Sequence, residues 1–122
     1  MTTKICIIED DPAIQLMYRI KLEYEGYEVR SASNGLEGLK MVKAFRPELI
    51  LLDLRMPIMD GAEMLEKLRA TSWGSNIRVV ILTNISKGEA PQNLRFLAVD
   101  RYVVKAHYTP TQVMDIIREV LS

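Results

Sequence analysis

The sequence has little that would suit a disulfide-rich, membrane or nucleic-acid-binding protein. Its one cysteine, Cys6, excludes an intrachain disulfide, and the apolar run around it predicts a buried structural thiol. Lysine and arginine total 16, as do aspartate and glutamate, so no net charge attracts nucleic acid. No apolar run approaches the roughly 20 residues of a bilayer span, and no signal-peptide core is visible. We expect a cytoplasmic protein with no direct nucleic-acid or membrane contact.

Nucleotide-binding motifs, internal repeats and linkers are also missing. No glycine-rich motif of the G-x-G-x-x-G or G-x-x-x-x-G-K-[ST] type follows any predicted strand, which disfavours a dinucleotide-binding domain. A chain of 122 residues is long enough to bury a sizeable core but not to hold two domains. The sequence therefore predicts one domain that spans residues 1–122.

Five short apolar runs are present, and each predicts a β-strand. The run from Leu49 to Leu52 is apolar at every position, which is typical of a strand buried on both faces of a parallel sheet. Pro57 and Gly61 prevent this strand from continuing. The predicted strands are residues 4–8, 27–32, 49–53, 78–83 and 101–104.

Helical periodicity follows each strand, so the sequence predicts five helices. Four of them begin at a capping residue, namely Asp11, Asn34, Asp60 and Thr109. The remaining helix, at residues 87–97, has a weaker pattern because it contains a glycine and a proline near its start.

Alternating strands and helices predict an α/β fold with a doubly wound, five-stranded parallel sheet. We expect the flavodoxin-like strand order 2-1-3-4-5, in which the first and third strands are neighbours. Glu9, Asp10 and Asp53, which follow these two strands, should then converge at one edge of the sheet. Thr83 and Lys105 end the next two strands and should line the same edge.

Three carboxylates at one edge repel one another and attract a cation. At ~4 Å and an effective dielectric constant of about 20, each pair costs on the order of 4 kcal/mol. Oxygen ligands with room for water suit Mg²⁺. Beside a hard cation and Lys105, Asp53 is a good acceptor for a phosphoryl group, and the Thr83 hydroxyl is placed to donate to one of its oxygens.

These residues lie in motifs that resemble the receiver domain of two-component response regulators. The motifs are Glu9-Asp10-Asp11, residues 53–61, Leu82-Thr83 and residues 102–105, and the resemblance extends from residue 4 to the last helix. It implies that Asp53 accepts a phosphoryl group from a sensor histidine kinase or a histidine phosphotransfer protein.

The resemblance also implies roles for the neighbouring residues. Asp10, Asp53 and the backbone carbonyl of Arg55 would bind Mg²⁺, with Glu9 acting through water. Lys105 would pair with the phosphoryl group. Thr83 and Tyr102 would act as switch residues, with Thr83 moving toward the phosphoryl group and the Tyr102 ring turning inward.

A surface made by the fourth predicted helix, the fifth strand and the fifth helix would carry the output. The implied partner there is either a second copy of the chain, joined on phosphorylation, or a downstream effector. His107, near this surface, is interpreted as a solvated loop residue.

Some positions depart from the commonest pattern of this family. Ala106 follows Lys105 where a proline in a cis peptide is usual, and Asn84 replaces a small residue after Thr83. Arg55 and Ile85 occupy variable positions that tune the phosphoryl lifetime in the family. We expect both to hinder an attacking water and lengthen that lifetime.

Two other functions compete with phosphoacceptance. A Mg²⁺-dependent aspartyl phosphohydrolase could use a similar sheet, but such enzymes commonly have an acid where this chain has Arg55. An interaction module that no longer takes phosphate is the second alternative, which Ala106 and Asn84 leave open.

Overall fold

The computed structural model describes residues 2–122 and contains a five-stranded parallel sheet. The strand order is β2-β1-β3-β4-β5, which confirms the predicted flavodoxin-like topology. All four strand pairs are parallel, and the observed strands match the predicted ones to within one residue at each end. The strands are β1 Lys4–Ile8, β2 Glu28–Ala32, β3 Leu49–Leu52, β4 Arg78–Thr83 and β5 Arg101–Val104.

Four α-helices flank the sheet, and each begins where the sequence predicts a cap. They are α1 Pro12–Tyr24, α2 Gly35–Phe45, α3 Gly61–Arg69 and α4 Pro110–Leu121. The Asp11 carboxylate accepts hydrogen bonds from the amides of Ala13 and Ile14 at 2.9 and 3.2 Å. Thr109 and its partner Gln112 form a reciprocal capping box at the start of α4. These bonds satisfy amides that have no partner within a helix.

The prediction of a helix at residues 87–97 is wrong. The chain instead forms two short 3₁₀ turns, Lys87–Glu89 and Gln92–Phe96, so the described residues contain four α-helices rather than five. Pro91 has no amide hydrogen and disfavours helical geometry in the residue before it, and Ala90 is accordingly extended, with ψ of 151°. Leu94 is the only residue of the two turns that is buried, so no apolar stripe fixes a helix against the sheet.

Helices cover both faces of the sheet because strand side chains alternate between them. On one face, Ile5, Ile7 and other strand residues pack against the buried residues of α1 and α4. On the opposite face, Cys6 and Ile8 pack with the buried residues of α2 and α3. The core is therefore two apolar layers separated by the sheet.

Cys6 is fully buried in the second of these layers, as the sequence predicts. Burial raises the pKa of its thiol to about 12, although the positive charge of Arg30 acts in the opposite direction. A thiol with this pKa stays protonated and unreactive at neutral pH.

The strand order places the carboxyl ends of β1 and β3 side by side. Ile8 pairs with Leu52 at the last position of both strands, and the amide of Asp53 donates to the carbonyl of Ile8 at 2.9 Å. Glu9 and Asp53 therefore leave the sheet as neighbours at the position where doubly wound folds form their ligand sites. None of the helices described has the length and apolar composition that a membrane span requires.

Candidate functional site

A cleft of about 280 Å³ opens at the carboxyl ends of the strands. It brings together Glu9, Asp10, Asp53, Thr83 and Lys105, as the predicted strand order requires. The other residues that line it are Asp11, Ile14, Arg55, Asn84 and Ile85.

Three carboxylates form a compact acidic cluster in this cleft. One oxygen from each of Glu9, Asp10 and Asp53 lies within 4.8 Å of the other two. Glu9 and Asp53 are only 3% and 6% exposed, whereas Asp10 is exposed to solvent. Two buried carboxylates beside a third that faces water match a hard cation that keeps part of its hydration shell, so these residues fit Mg²⁺.

Lys105 reaches into the cluster and pairs with two of the carboxylates. Its Nζ atom donates to Glu9 Oε1 at 2.6 Å and to Asp53 Oδ2 at 3.2 Å. Burial lowers the pKa of Lys105, but the hydrogen bond to Glu9 and the charges of Asp53 and Glu9 outweigh this effect and raise the pKa overall. Lys105 therefore remains a cation at neutral pH.

Glu9 is held by its neighbours as well as by Lys105. The amide of Asp11 donates to Glu9 Oε2 at 3.1 Å, and the Gln15 side chain donates to the Glu9 carbonyl at 2.8 Å. Burial raises the pKa of Glu9, and the hydrogen bond from Lys105 opposes that rise. Because this carboxylate is buried, its ionised form is costly unless it is paired, so a positive charge bound in the cleft would stabilise it.

Each carboxylate oxygen of Asp53 can accept a further contact. Oδ1 accepts from the amide of Arg55 at 3.3 Å, and Oδ2 accepts from Lys105. Because each carboxylate oxygen has two lone pairs, each retains one that can bind a cation or attack an electrophile.

The side chains of Thr83 and Tyr102 both form hydrogen bonds with the backbone of Ile85. The Thr83 hydroxyl, which is almost fully buried, accepts from the amide of Ile85 at 3.4 Å. Tyr102 lies outside the cleft, and its hydroxyl donates to the carbonyl of Ile85 at 2.7 Å. Burial is the main cause that raises the pKa of Tyr102. One peptide segment thus connects the cleft to the half-buried tyrosine on β5.

Of the residues expected to modify the cleft, Ala106, Asn84 and Arg55 are solvent-exposed and Ile85 is half-buried. Lys105, Ala106 and His107 form a short 3₁₀ turn in which the bond to Ala106 is trans, since the described residues contain no cis peptide. Arg55 and Asn84 line the mouth of the cleft and are exposed. His107 is exposed, as expected for a solvated loop residue.

Sequence reasoning missed one residue next to the acidic cluster, Tyr18. The helical pattern placed Tyr18 only on the apolar face of α1, yet it lines a small cavity together with Glu9 and Asp53. A hydroxyl on an otherwise apolar helix face was the available signal.

The family model for the response regulator receiver domain matches residues 5–118. Sporulation initiation phosphotransferase F of Bacillus subtilis is 40% identical over 83 residues, which are 68% of this chain and 65% of that protein. The response regulator MprA of Mycobacterium ulcerans is 36% identical over 83 residues, which are 68% of this chain but only 35% of that protein.

Solved structures show the same fold. The chemotaxis response regulator CheY4 of Vibrio cholerae superposes with a TM-score of 0.89 and 26% identity, over 98% of this chain and 99% of that chain. The receiver domain of sensor histidine kinase PA1611 from Pseudomonas aeruginosa superposes with a TM-score of 0.87 and 23% identity, over the full length of both chains. The structure of that receiver domain has a magnesium ion coordinated in its active-site cleft.

The family model covers most of the chain. The chain belongs to the response regulator receiver domain family.

Proposed function

We propose that this domain is the phosphoacceptor of a cytoplasmic two-component phosphorelay. It takes a phosphoryl group onto Asp53 from a histidine of a sensor kinase or a histidine phosphotransfer protein. The observation that carries the proposal is the position of Asp53, a buried carboxylate that opens onto a cleft between Lys105 and two further acids. Receiver domains as a family are phosphoacceptors rather than enzymes that turn over a separate substrate.

Mg²⁺ is the proposed cofactor of the transfer. Asp10, Asp53 and the backbone carbonyl of Arg55 would bind it directly, and Glu9 would contact it through water. When bound, the ion neutralises charge on the phosphoryl oxygens and helps to orient them. The spacing of the three carboxylates, within 4.8 Å, supports this ligand set.

The transfer itself requires a free nucleophile and a fixed cation. A lone pair of an Asp53 oxygen attacks phosphorus, the bond from phosphorus to the donor histidine nitrogen breaks, and the nitrogen keeps that electron pair. Lys105 already contacts Asp53 at 3.2 Å, so its ammonium needs to move little to pair with a phosphoryl oxygen. Positioning and charge neutralisation account for most of the catalysis in phosphoryl transfer.

Thr83 and Tyr102 are the proposed switch. A phosphoryl group on Asp53 would draw the Thr83 hydroxyl toward one of its oxygens and remove the acceptor that the Ile85 amide now uses. The segment around Ile85 would then shift, and its carbonyl would release the Tyr102 hydroxyl. The Tyr102 ring could turn inward, which changes the surface made by residues 87–97, β5 and α4. That surface would bind the output partner, either a second copy of the chain or a downstream effector.

Autodephosphorylation should be slow because two side chains restrict the approach of water. Arg55 and Ile85 line the same cleft as Asp53. Arg55→Ala or Ile85→Ala should shorten the lifetime of the phosphorylated protein, and a dephosphorylation rate unchanged in both variants would contradict this role. The same Arg55 argues against a phosphohydrolase, because the position lacks an acid that would activate water.

The test is the intact mass of the protein after incubation with a small phosphodonor such as acetyl phosphate. Wild type should gain one phosphoryl group with Mg²⁺ and none with EDTA, while Asp53→Asn should gain none in either. Asp60→Asn is a matched control, since this exposed aspartate caps α3 outside the cleft and asparagine caps equally well. Wild type that stays unmodified would refute the proposal and favour an interaction module independent of phosphate.

A further inference from the structure

Arg69, the last residue of α3, reaches the end of the segment that joins β4 to β5. Its guanidinium donates to the carbonyls of Leu97 and Ala98 at 2.8 and 2.9 Å. The same group donates to the carbonyls of Gly74 and Ile77 at 2.9 and 2.7 Å, in the loop before β4. One planar cation with donors in several directions thus fixes both chain segments relative to α3.

Ala98 has a backbone conformation that needs such support. Its φ of 54° is left-handed, a region that residues with a Cβ atom seldom adopt. The carbonyls of Ala98 and of the residue before it are two of those that Arg69 binds. Because a strained conformation persists where its surroundings over-determine it, these bonds account for the turn at Ala98.

The preceding part of the segment, residues 85–96, is held more loosely, and we call it the flap. Leu94 is the one residue of its two 3₁₀ turns that is buried. The side chain of Asn93 donates to that of Glu66 on α3 at 3.1 Å, but both residues are exposed. Few buried contacts correspond to a low free energy of local opening.

We propose that Arg69 is a positioning residue for the switch and fixes residues 97–98 as the hinge about which the flap opens. Opening then moves the end of the flap at Ile85, whose carbonyl accepts from the Tyr102 hydroxyl, while β5 keeps its place in the sheet. This inference rests on the proposed function, because the phosphoryl group on Asp53 would act at that end of the flap.

A fixed hinge determines which surface the opening changes. A groove of about 740 Å³ is lined by both the flap and β5. Lys87 and Leu94 line it from the flap, whereas Asp100 and Arg101 line it from beyond the hinge. Because only the first pair belongs to the flap, movement about residues 97–98 changes the width of a groove on the proposed output surface.

Native-state amide hydrogen exchange of the whole chain, measured by NMR without Mg²⁺ or phosphodonor, tests the hinge. In wild type, the amide of Leu94 in the flap should exchange at least about 10-fold faster than that of Asp100, which donates to Val79. Arg69→Lys keeps the charge but loses the fork of donors. It should reduce the protection of the Asp100 amide at least about 10-fold more than that of the β3 amides, because residues 97–100 then open locally.

Two further variants isolate the cause. Lys67→Arg is the matched control, because Lys67 is an exposed cation on the same helix, and it should leave the protection of Asp100 relative to β3 unchanged. Glycine adopts a left-handed φ without strain, so Ala98→Gly, added to Arg69→Lys, should restore part of the lost protection.

A purely structural role for Arg69 would reduce the protection of Asp100 and β3 by the same factor, and this result overturns the proposal. Ala98→Gly that restores no protection in the double variant also overturns it. If Arg69→Lys fails to fold, wild type alone decides, since equal exchange of Leu94 and Asp100 would mean that no hinge separates them.

The same measurement with Mg²⁺ and acetyl phosphate separates the inference from the proposed function. Phosphorylation should reduce the protection of the Leu94 amide and leave that of Asp100 unchanged. Equal loss at both amides in the phosphorylated protein overturns the inference alone. Wild type that takes no phosphoryl group would instead refute the proposed function, and the role of the hinge with it.

Discussion

Removing the exposed charge of the acidic cluster should stabilise the protein when Mg²⁺ is absent. At 4.8 Å, two unit charges repel by about 3.5 kcal/mol with an effective dielectric constant of 20, and by about 0.9 kcal/mol in bulk water. Asp10 is exposed, so its repulsion from Glu9 and Asp53 lies toward the lower value, and Lys105 offsets part of it. We therefore expect Asp10→Asn to raise the free energy of unfolding in EDTA by about 1 kcal/mol.

The order of stability should reverse when Mg²⁺ is added. A ligand at 100 times its dissociation constant stabilises the folded protein by about 2.7 kcal/mol. Wild type should gain this amount, whereas Asp10→Asn lacks the charged ligand proposed above and should gain little. In Mg²⁺ the wild-type protein should then be the more stable of the two.

Urea unfolding followed by far-ultraviolet circular dichroism, in EDTA and in Mg²⁺, measures both effects. A gain of 1 kcal/mol moves the urea midpoint by roughly 0.5–1 M for a domain of this size. Asp11→Asn is the control, because it removes the adjacent charge but keeps the cap of α1. If Asp10→Asn destabilises the protein in EDTA, or responds to Mg²⁺ as wild type does, the repulsion argument is wrong.

Three further predictions concern residues outside the cluster. Cys6 has an ordinary pKa of 9.0 and a folded pKa of about 12, so the unfolded thiol ionises first as pH rises. Between pH 7 and 10, wild type should therefore lose about 1 kcal/mol more stability than Cys6→Ala does. Ile58 adopts a left-handed φ of 70° although it is β-branched and 77% exposed, so Ile58→Asn should stabilise the fold by about 1 kcal/mol. The Arg69 guanidinium donates to five backbone carbonyls, including those of Leu97 and Ala98, so Arg69→Met should cost about 2–4 kcal/mol.

Chemical denaturation tests each of these three predictions, and a second measurement or variant isolates the physical cause of each stability change. An equal loss of stability with pH in wild type and Cys6→Ala would contradict the first prediction. Ile58→Val keeps the β-branch, so its stability should change little. A gain of stability in Ile58→Val would contradict the explanation by backbone strain. Arg69→Lys keeps the charge but not the fork of donors, and full stability in that variant would show that the charge alone matters.

The strands and the cleft could be predicted because they depend on local patterns and on one topological rule. Continuous apolar runs defined β3 and β4, and capping residues defined the starts of the helices. Once the strand order was assumed, Glu9 and Asp53 had to be neighbours, because each residue directly follows its strand.

The segment between β4 and β5 could not be predicted in the same way. Leu94, Phe96, Leu97 and Ala98 supply only a weak apolar face for a helix, and Phe96 is 74% exposed. Burial of an apolar face decides whether a short, weak helix forms, and burial depends on distant residues. Gly88 and Pro91 were the local signals against a helix, and the segment forms two 3₁₀ turns instead.

Contacts between residues far apart in the chain could not be predicted from the sequence either. The bond from Lys105 to Glu9 joins residues 96 apart, and the shorter of the two Lys105 bonds is this one rather than the bond to Asp53. The left-handed backbone at Ile58 and the approach of Tyr18 to the cleft likewise result from packing. No local preference of Ile58 indicates the first of these features, and the hydroxyl of Tyr18 on an apolar helix face was the only local signal of the second.

The two 3₁₀ turns between β4 and β5 bury one side chain, and this determines how easily the segment can open. Local opening has a free energy well below that of global unfolding where few apolar contacts must be broken. Amide hydrogens of residues 87–97 should therefore exchange with solvent much faster than those of the central strands.

Shifting an equilibrium from 1:99 to 99:1 takes about 5.5 kcal/mol, and a segment whose alternative conformations already lie close in energy requires less than a packed helix would. If the proposed phosphorylation acts on this segment, the charge added at Asp53 has little packing to undo there, because Leu94 is the one side chain that the two turns bury in the apolar layer beneath α2 and α3.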